Sequence, residues 1–130
     1  MVDDRTIPSD LVTDIIEDSS GLIWVATFDG IALYKPNQVV ENLRPIPYND
    51  ESLSSDLPWS FAESKEAIWI GTTEGLNRED KLTGKIKRYL NLGNDLTQQN
   101  FTAVWAMQAL DNNALWLATE YGLARFNLST

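Results

Sequence analysis

The chain contains no cysteine and no histidine, and its 130 residues carry only ten lysines and arginines against 19 aspartates and glutamates. Without cysteine there is no disulfide framework, thiolate zinc site, iron–sulfur cluster or cysteine nucleophile. Without histidine there is no Ser–His–Asp triad, histidine-ligated metal or phospho-accepting histidine. The net charge of −9 argues against nucleic acid as a partner, because backbone affinity comes from clustered Lys and Arg. Long apolar runs are missing too: the stretches around Leu22–Thr27 and Ala103–Leu110 fall far short of the ~20 residues of a membrane helix. This segment is therefore not expected to insert into a membrane. Residues Met1 to Asp10 are acidic and polar and show no basic and apolar regions of a signal peptide. Lack of cysteine fits an oxidising or a reducing compartment equally well.

What the chain has is tryptophan, five in all, and three of them occupy one position of a repeat. The segments Leu22-Ile23-Trp24-Val25-Ala26-Thr27-Phe28-Asp29-Gly30-Ile31, Ala67-Ile68-Trp69-Ile70-Gly71-Thr72-Thr73-Glu74-Gly75-Leu76 and Ala114-Leu115-Trp116-Leu117-Ala118-Thr119-Glu120-Tyr121-Gly122-Leu123 share the pattern apolar–Trp–apolar–small–Thr–x–x–Gly–apolar. The tryptophans Trp24, Trp69 and Trp116 are spaced 45 and 47 residues apart. Upstream, Val12–Asp18 aligns with Val104–Leu110, and Pro58–Ser64 joins them if one turn residue is deleted.

Each unit reads as short strands separated by turns. A Val12–Glu17 type strand ends at a polar turn, Asp18-Ser19-Ser20-Gly21 or Asp111-Asn112-Asn113. The Trp-bearing strand follows, then two residues and an aligned glycine (Gly30, Gly75, Gly122) suited to positive φ in a tight connection. A third strand covers Ile31–Tyr34, Leu76–Glu79 and Leu123–Phe126, and Ile86–Leu90 alternates as a half-exposed fourth strand would. Asn42–Ser52 and Asn91–Asn100, rich in polar residues, read as surface connections. Four short antiparallel strands per ~45 residues is the signature of a β-propeller blade. The expected fold is all-β, one partial propeller over 1–130 with repeats at about 7–50, 53–95 and 97–130, the last lacking a clear outer strand.

With its turn Asp18-Ser19-Ser20-Gly21 before Leu22-Ile23-Trp24, its run Trp69–Arg78, its Lys81–Tyr89 stretch and its Asn49–Asp56 connection, the sequence resembles the two-component-regulator propeller family. Leu33 stands where the other units have Arg78 and Arg125, and Glu79 stands where they have Tyr34 and Phe126. The resemblance implies a non-catalytic, extracytoplasmic (periplasmic) sensor region of a membrane-anchored bacterial signalling protein, with a small-molecule or oligosaccharide ligand. It implies no cofactor.

A blade brings the start of its first strand and the turn between strands two and three to one face. That gathers Thr13, Trp59 and Trp105 with Phe28-Asp29, Thr73-Glu74 and Glu120-Tyr121. Aromatic rings beside Asp29, Glu74, Glu120 and Tyr121 suit stacking on a ligand and accepting its hydroxyl hydrogen bonds. Trp59 and Trp105 also suit inter-blade packing, and the three carboxylates also suit solvated turns. Trp24, Trp69 and Trp116 are expected to be structural, with Thr27, Thr72 and Thr119 bonding within or between blades. The Asp18–Gly21 turn lacks the alternating ligands of a calcium loop, so no metal site is expected. The Lys81, Lys85, Lys87 and Arg88 cluster reads as a solvated outer strand. Nineteen acids make some carboxylate pair inevitable, so acid content is no argument for a hydrolase. Three blades do not close a ring, so the partners expected are further blades of the same protein or a second copy of the chain, forming a homo-oligomer.

Overall fold

The structure, a computed structural model, describes Ser9 and residues 11–35, 38–90, 102–110 and 113–128. The expected connection 91–100 and the first two residues of the Asp111-Asn112-Asn113 turn lie outside the described residues. Eleven strands are described: β1 (Val12–Glu17), β2 (Ile23–Thr27), β3 (Gly30–Lys35), β4 (Gln38–Leu43), β5 (Pro58–Glu63), β6 (Ala67–Thr72), β7 (Gly75–Asp80), β8 (Ile86–Tyr89), β9 (Val104–Leu110), β10 (Ala114–Thr119) and β11 (Gly122–Asn127). They form three antiparallel up-and-down sheets, β1-β2-β3-β4, β5-β6-β7-β8 and β9-β10-β11. The fold is all-β, and the sheets do not close a ring.

Each β-hairpin that carries the Trp–Thr–Gly pattern is closed in the same way. Thr27, Thr72 and Thr119 each donate their hydroxyl to the carbonyl of the glycine three residues on, at 2.8, 2.9 and 2.8 Å. The same oxygens accept the N–H of Asp29, Glu74 and Tyr121 at 3.0, 3.0 and 3.1 Å. The threonine therefore works inside its own blade, satisfying turn groups that a hydrophobic side chain would leave without partners. Gly30 and Gly75 have φ of +92° and +103°, and a Cβ there would sit 2.6 Å from the Leu43 carbonyl and 2.7 Å from that of Tyr89. Only glycine admits the fourth strand at that distance.

The core lies in two seams between sheets. β6 is buried on both faces: Ile68 and Ile70 join Trp24, Ile31, Leu53 and Phe61 in the first seam, while Ala67 and Trp69 join Leu76, Val104, Leu115 and Leu117 in the second. Trp24 meets Phe61 of the next sheet edge-to-face at 6.0 Å, and Trp69 meets Phe126 at 5.4 Å. The indole N–H groups are also satisfied, Trp24 by Asp18 Oδ2 at 2.9 Å and Trp69 by Ser64 Oγ at 3.0 Å. Trp24 and Trp69 are 2% and 3% exposed, but Trp116, which no further sheet covers among the described residues, is half-buried. The aligned third-strand residues say the same: Ile31 and Leu76 are fully buried, and Leu123 is 73% exposed.

Two sequence expectations need correcting. The stretch 42–52 is not wholly a surface connection: β4 takes its first two residues, and Ser52, with the following Leu53 and Ser55, is buried. Its polar groups are held by Arg88, which donates to the Asn49, Ser52 and Leu53 carbonyls at 3.1, 2.8 and 3.0 Å and to Ser52 Oγ at 3.2 Å. Arg88 and Lys81 are accordingly not a merely solvated patch, since Lys81 Nζ reaches Glu63 Oε2 at 2.6 Å.

Candidate functional site

The first strand of every sheet carries a β-bulge at its second residue. Val12 and Asp14 pair with consecutive residues of β2, leaving Thr13 as the extra residue. Trp59 is the extra residue between Pro58 and Ser60, and Trp105 between Val104 and Ala106. A bulge twists its strand and re-aims a side chain. Here it sends aligned residues toward the mouth formed by the strand-two to strand-three turns.

The consequence is an aromatic ladder across all three sheets. Phe28 lies edge-to-face on Trp59 with ring centroids 5.8 Å apart, and Trp59 on Trp105 at 5.3 Å. Trp59 is fixed by its indole N–H, which donates to Thr73 Oγ1 at 2.9 Å. Phe28 and Trp105 are 47% and 43% exposed. Core rings of this size would be covered, so the ladder is a partly solvated surface held in one geometry by ring–ring contacts and one hydrogen bond.

The other expected site residues fall into different roles. Thr13 Oγ1 donates to the Pro58 carbonyl at 2.7 Å and so links the first two sheets at the foot of the ladder. Asp29 pairs with Arg44 at 3.2 Å, both side chains being about half exposed. Glu120 Oε1 accepts the Ala103 N–H at 2.9 Å, which makes it a clasp on the strand entry. Tyr121 is exposed at the turn beside it, and Glu74 sits half-buried in the middle turn. The turns are anchored alike, with Phe28, Thr73 and Glu120 donating their N–H to the carbonyls of Leu11, Leu57 and Ala103. The structure thus brings Trp59, Trp105 and the turn residues to one mouth, with Phe28 as a full member of the ladder.

Sequence reasoning missed the indole caps and a second polar cluster. Asp18 is more than a turn residue: burial works to raise its pKa, but bonds from Ser20, Trp24 and the Leu22 N–H outweigh it and hold the carboxyl below its usual range. Asp14 Oδ2 accepts the Phe61 N–H at 2.9 Å across the first seam. At the end of the sheets opposite the ladder, Glu63 Oε2 accepts from the Ser19 N–H at 3.0 Å and from Lys81. Burial raises Glu63 as well, and the bonds from Lys81 and Ser19 bring it below its usual range. The one available signal for these contacts was the alignment of Asp18 with Ser64, both hydrogen-bond acceptors six and five residues before a tryptophan. Among the described residues no group of three or more Asp or Glu is placed to hold a metal ion.

Residues 6–29 match the family model described as a two component regulator propeller. No curated protein matches. Among solved structures, the extracellular domain described as that of a hybrid two component system, BT4673 of B. thetaiotaomicron, superposes with a TM-score of 0.75 at 22% identity, over 97% of this chain and 16% of that one. A second structure of the BT4673 extracellular domain, described as that of a one component system, gives 0.72 at 26% identity, over 99% and 17%. The extracellular domain of BT3049 from the same organism gives 0.59 at 14% identity, over 97% and 24%. The chain thus spans about a sixth of the BT4673 domain. The resemblance first visible in the repeated Trp–Thr–Gly skeleton is thereby shown twice: by the two component regulator propeller model at residues 6–29 and by the propeller-blade fold shared along nearly the whole chain.

Proposed function

We propose that this chain is a segment of an extracytoplasmic, ligand-sensing β-propeller of a bacterial signal-transduction protein, and that it performs no chemistry of its own. One observation carries the reading: three bulges and three turns converge to expose the Phe28–Trp59–Trp105 ladder at a single mouth. A stability-driven sheet would bury those rings. The solved neighbours, extracellular domains of hybrid two component and one component systems, support the compartment and the role. The lack of His and Cys supports a binding module over an enzyme.

The ligand class follows from the mouth. Exposed rings offer faces for the C–H side of a sugar or a similar flat polyol, and Asp29, Glu74 and Tyr121 offer polar groups around them. The turns carry Asp29, Glu74 and Glu120 against the single arginine, Arg44, that reaches them from the end of β4, which favours an uncharged oligosaccharide over a sulfated or uronic one. Titrating the chain calorimetrically with neutral gluco-, manno- and xylo-oligosaccharides and with a sulfated disaccharide tests this. Binding of a neutral sugar that Trp105→Ala weakens at least tenfold, with the circular dichroism spectrum unchanged, is the expected outcome. Binding unaffected by Trp105→Ala would remove the ladder from the account.

A second reading rests on a different surface. The open face of the third sheet, with Leu123 exposed and Trp116 half-buried, fits a module that packs onto further blades of its own protein or onto a second copy of the chain. Light scattering separates the two readings, since association without any sugar response favours this one.

A further inference from the structure

The two seams follow one plan, each built around a buried tryptophan, and differ in whether an aromatic or an acidic side chain of the third strand meets it. In the second seam Phe126 of β11 lies edge-on to Trp69 at 5.4 Å and to Tyr89 at 5.0 Å, so three rings close the packing. The aligned residue of β7 is Glu79, which brings a carboxyl to the first seam. It is half-buried and faces two more acids: Glu41 on β4, and Asp18 in the β1–β2 turn, whose Oδ2 holds the Trp24 indole at 2.9 Å. Glu79 and Glu41 line one cleft of about 280 Å³ together with Arg44, Glu51 and Ile86. The cations of this region are already engaged, Arg44 with Asp29 at 3.2 Å and Lys81 with Glu63 at 2.6 Å. The residues opposite Glu79 on β6 and β8 are Ile68 and Ile86, which offer neither charge nor hydrogen bond.

We propose that the first seam is a proton-sensitive joint: the Glu79 carboxyl, beside Glu41 in one cleft and flanked by Ile68 and Ile86, lets the first two blades close on Trp24 while it carries a proton, and its ionisation sets like charges against one another and loosens them. The second seam, closed by Phe126, has no such group among the described residues and does not respond. Burial, then Glu41, then Asp18 push Glu79 from its ordinary value of 4.5 up to about 7. A carboxyl raised in the folded state gives stability that is fully present below about 4.5 and lost as pH rises through about 7. The joint is thus tightest in mildly acidic solution and loosens across neutrality.

The test follows two readouts of the chain between pH 5 and 8.5: the NMR resonance of the Trp24 indole N–H and the thermal midpoint. The wild type should show the resonance moving with a midpoint near 7 and the thermal midpoint falling over the same range. Glu79→Gln should abolish both steps and melt above the wild type at pH 8, and Glu41→Gln should shift both steps to lower pH. A flat Trp24 resonance in the wild type overturns the proposal, as does a step that persists in Glu79→Gln. If Glu79→Gln does not fold, an unshifted step in Glu41→Gln overturns it equally.

Discussion

Threonine and glycine do most of the local work in each hairpin. The Thr72 hydroxyl is buried and, besides a 3.3 Å contact with the Ser54 hydroxyl, makes the two turn bonds, to the Gly75 carbonyl and from the Glu74 N–H. Thr72→Val keeps the shape and leaves both partners unmatched away from water, so it should cost about 1–3 kcal/mol in denaturant unfolding. Thr119→Val removes the same two bonds from an exposed turn where water replaces them, and should cost clearly less. Equal losses would mean that the hydroxyl does not act through the buried turn groups. Ser60 is the converse case: its Oγ is buried without a hydrogen-bond partner, next to Gly71 and Val104. These skeletal residues were legible in the sequence because one packing problem, solved three times, leaves one pattern. The partners of the tryptophan indoles were not, because Asp18 and Ser64 differ in type and only geometry shows them doing the same job.

At the scale of elements, the sequence located ten of the eleven described strands and failed on two features. β4 was hidden because two adjacent valines, 39 and 40, break the apolar–polar alternation of its sequence, and its pairing with β3 slips at Leu33/Tyr34. The stretch 42–52 looked like surface because it is polar, yet Ser52 is buried together with the Leu53 and Ser55 that follow it, and the Ser52 and Leu53 carbonyls are held by a guanidinium from β8. Arg88 therefore pins a connection to a strand. Arg88→Ala should speed amide exchange at Ser52–Asp56 and lower stability by about 2 kcal/mol, in the range of hydrogen bonds to charged groups. Arg88→Lys should recover only part, since an ammonium does not offer the planar fork of donors. Unchanged exchange in Arg88→Ala would show that Leu53 alone holds the segment.

On the scale of the whole molecule, two seams are complete and a third face is open. Blade 1 presents Val12 and Ile15 outward, 50% and 59% exposed, and blade 3 presents Leu123. The propeller class was legible from the repeat, and so was the mouth, because strand direction alone brings the inner-strand starts and the turns together. What no pattern revealed is that Phe28, Trp59 and Trp105 touch in sequence, since ring contacts depend on bulges that add one residue to each inner strand. The five tryptophans now divide by role: Trp24 and Trp69 sealed in seams, Trp116 on the open face, Trp59 and Trp105 at the mouth. The central claim is that the mouth is the sensing surface, and the five indole N–H resonances test it in one titration with neutral oligosaccharides. The account predicts saturable shifts at Trp59 and Trp105, with Trp24 and Trp69 still. Shifts confined to Trp116, or none at any sugar in the panel, would contradict it.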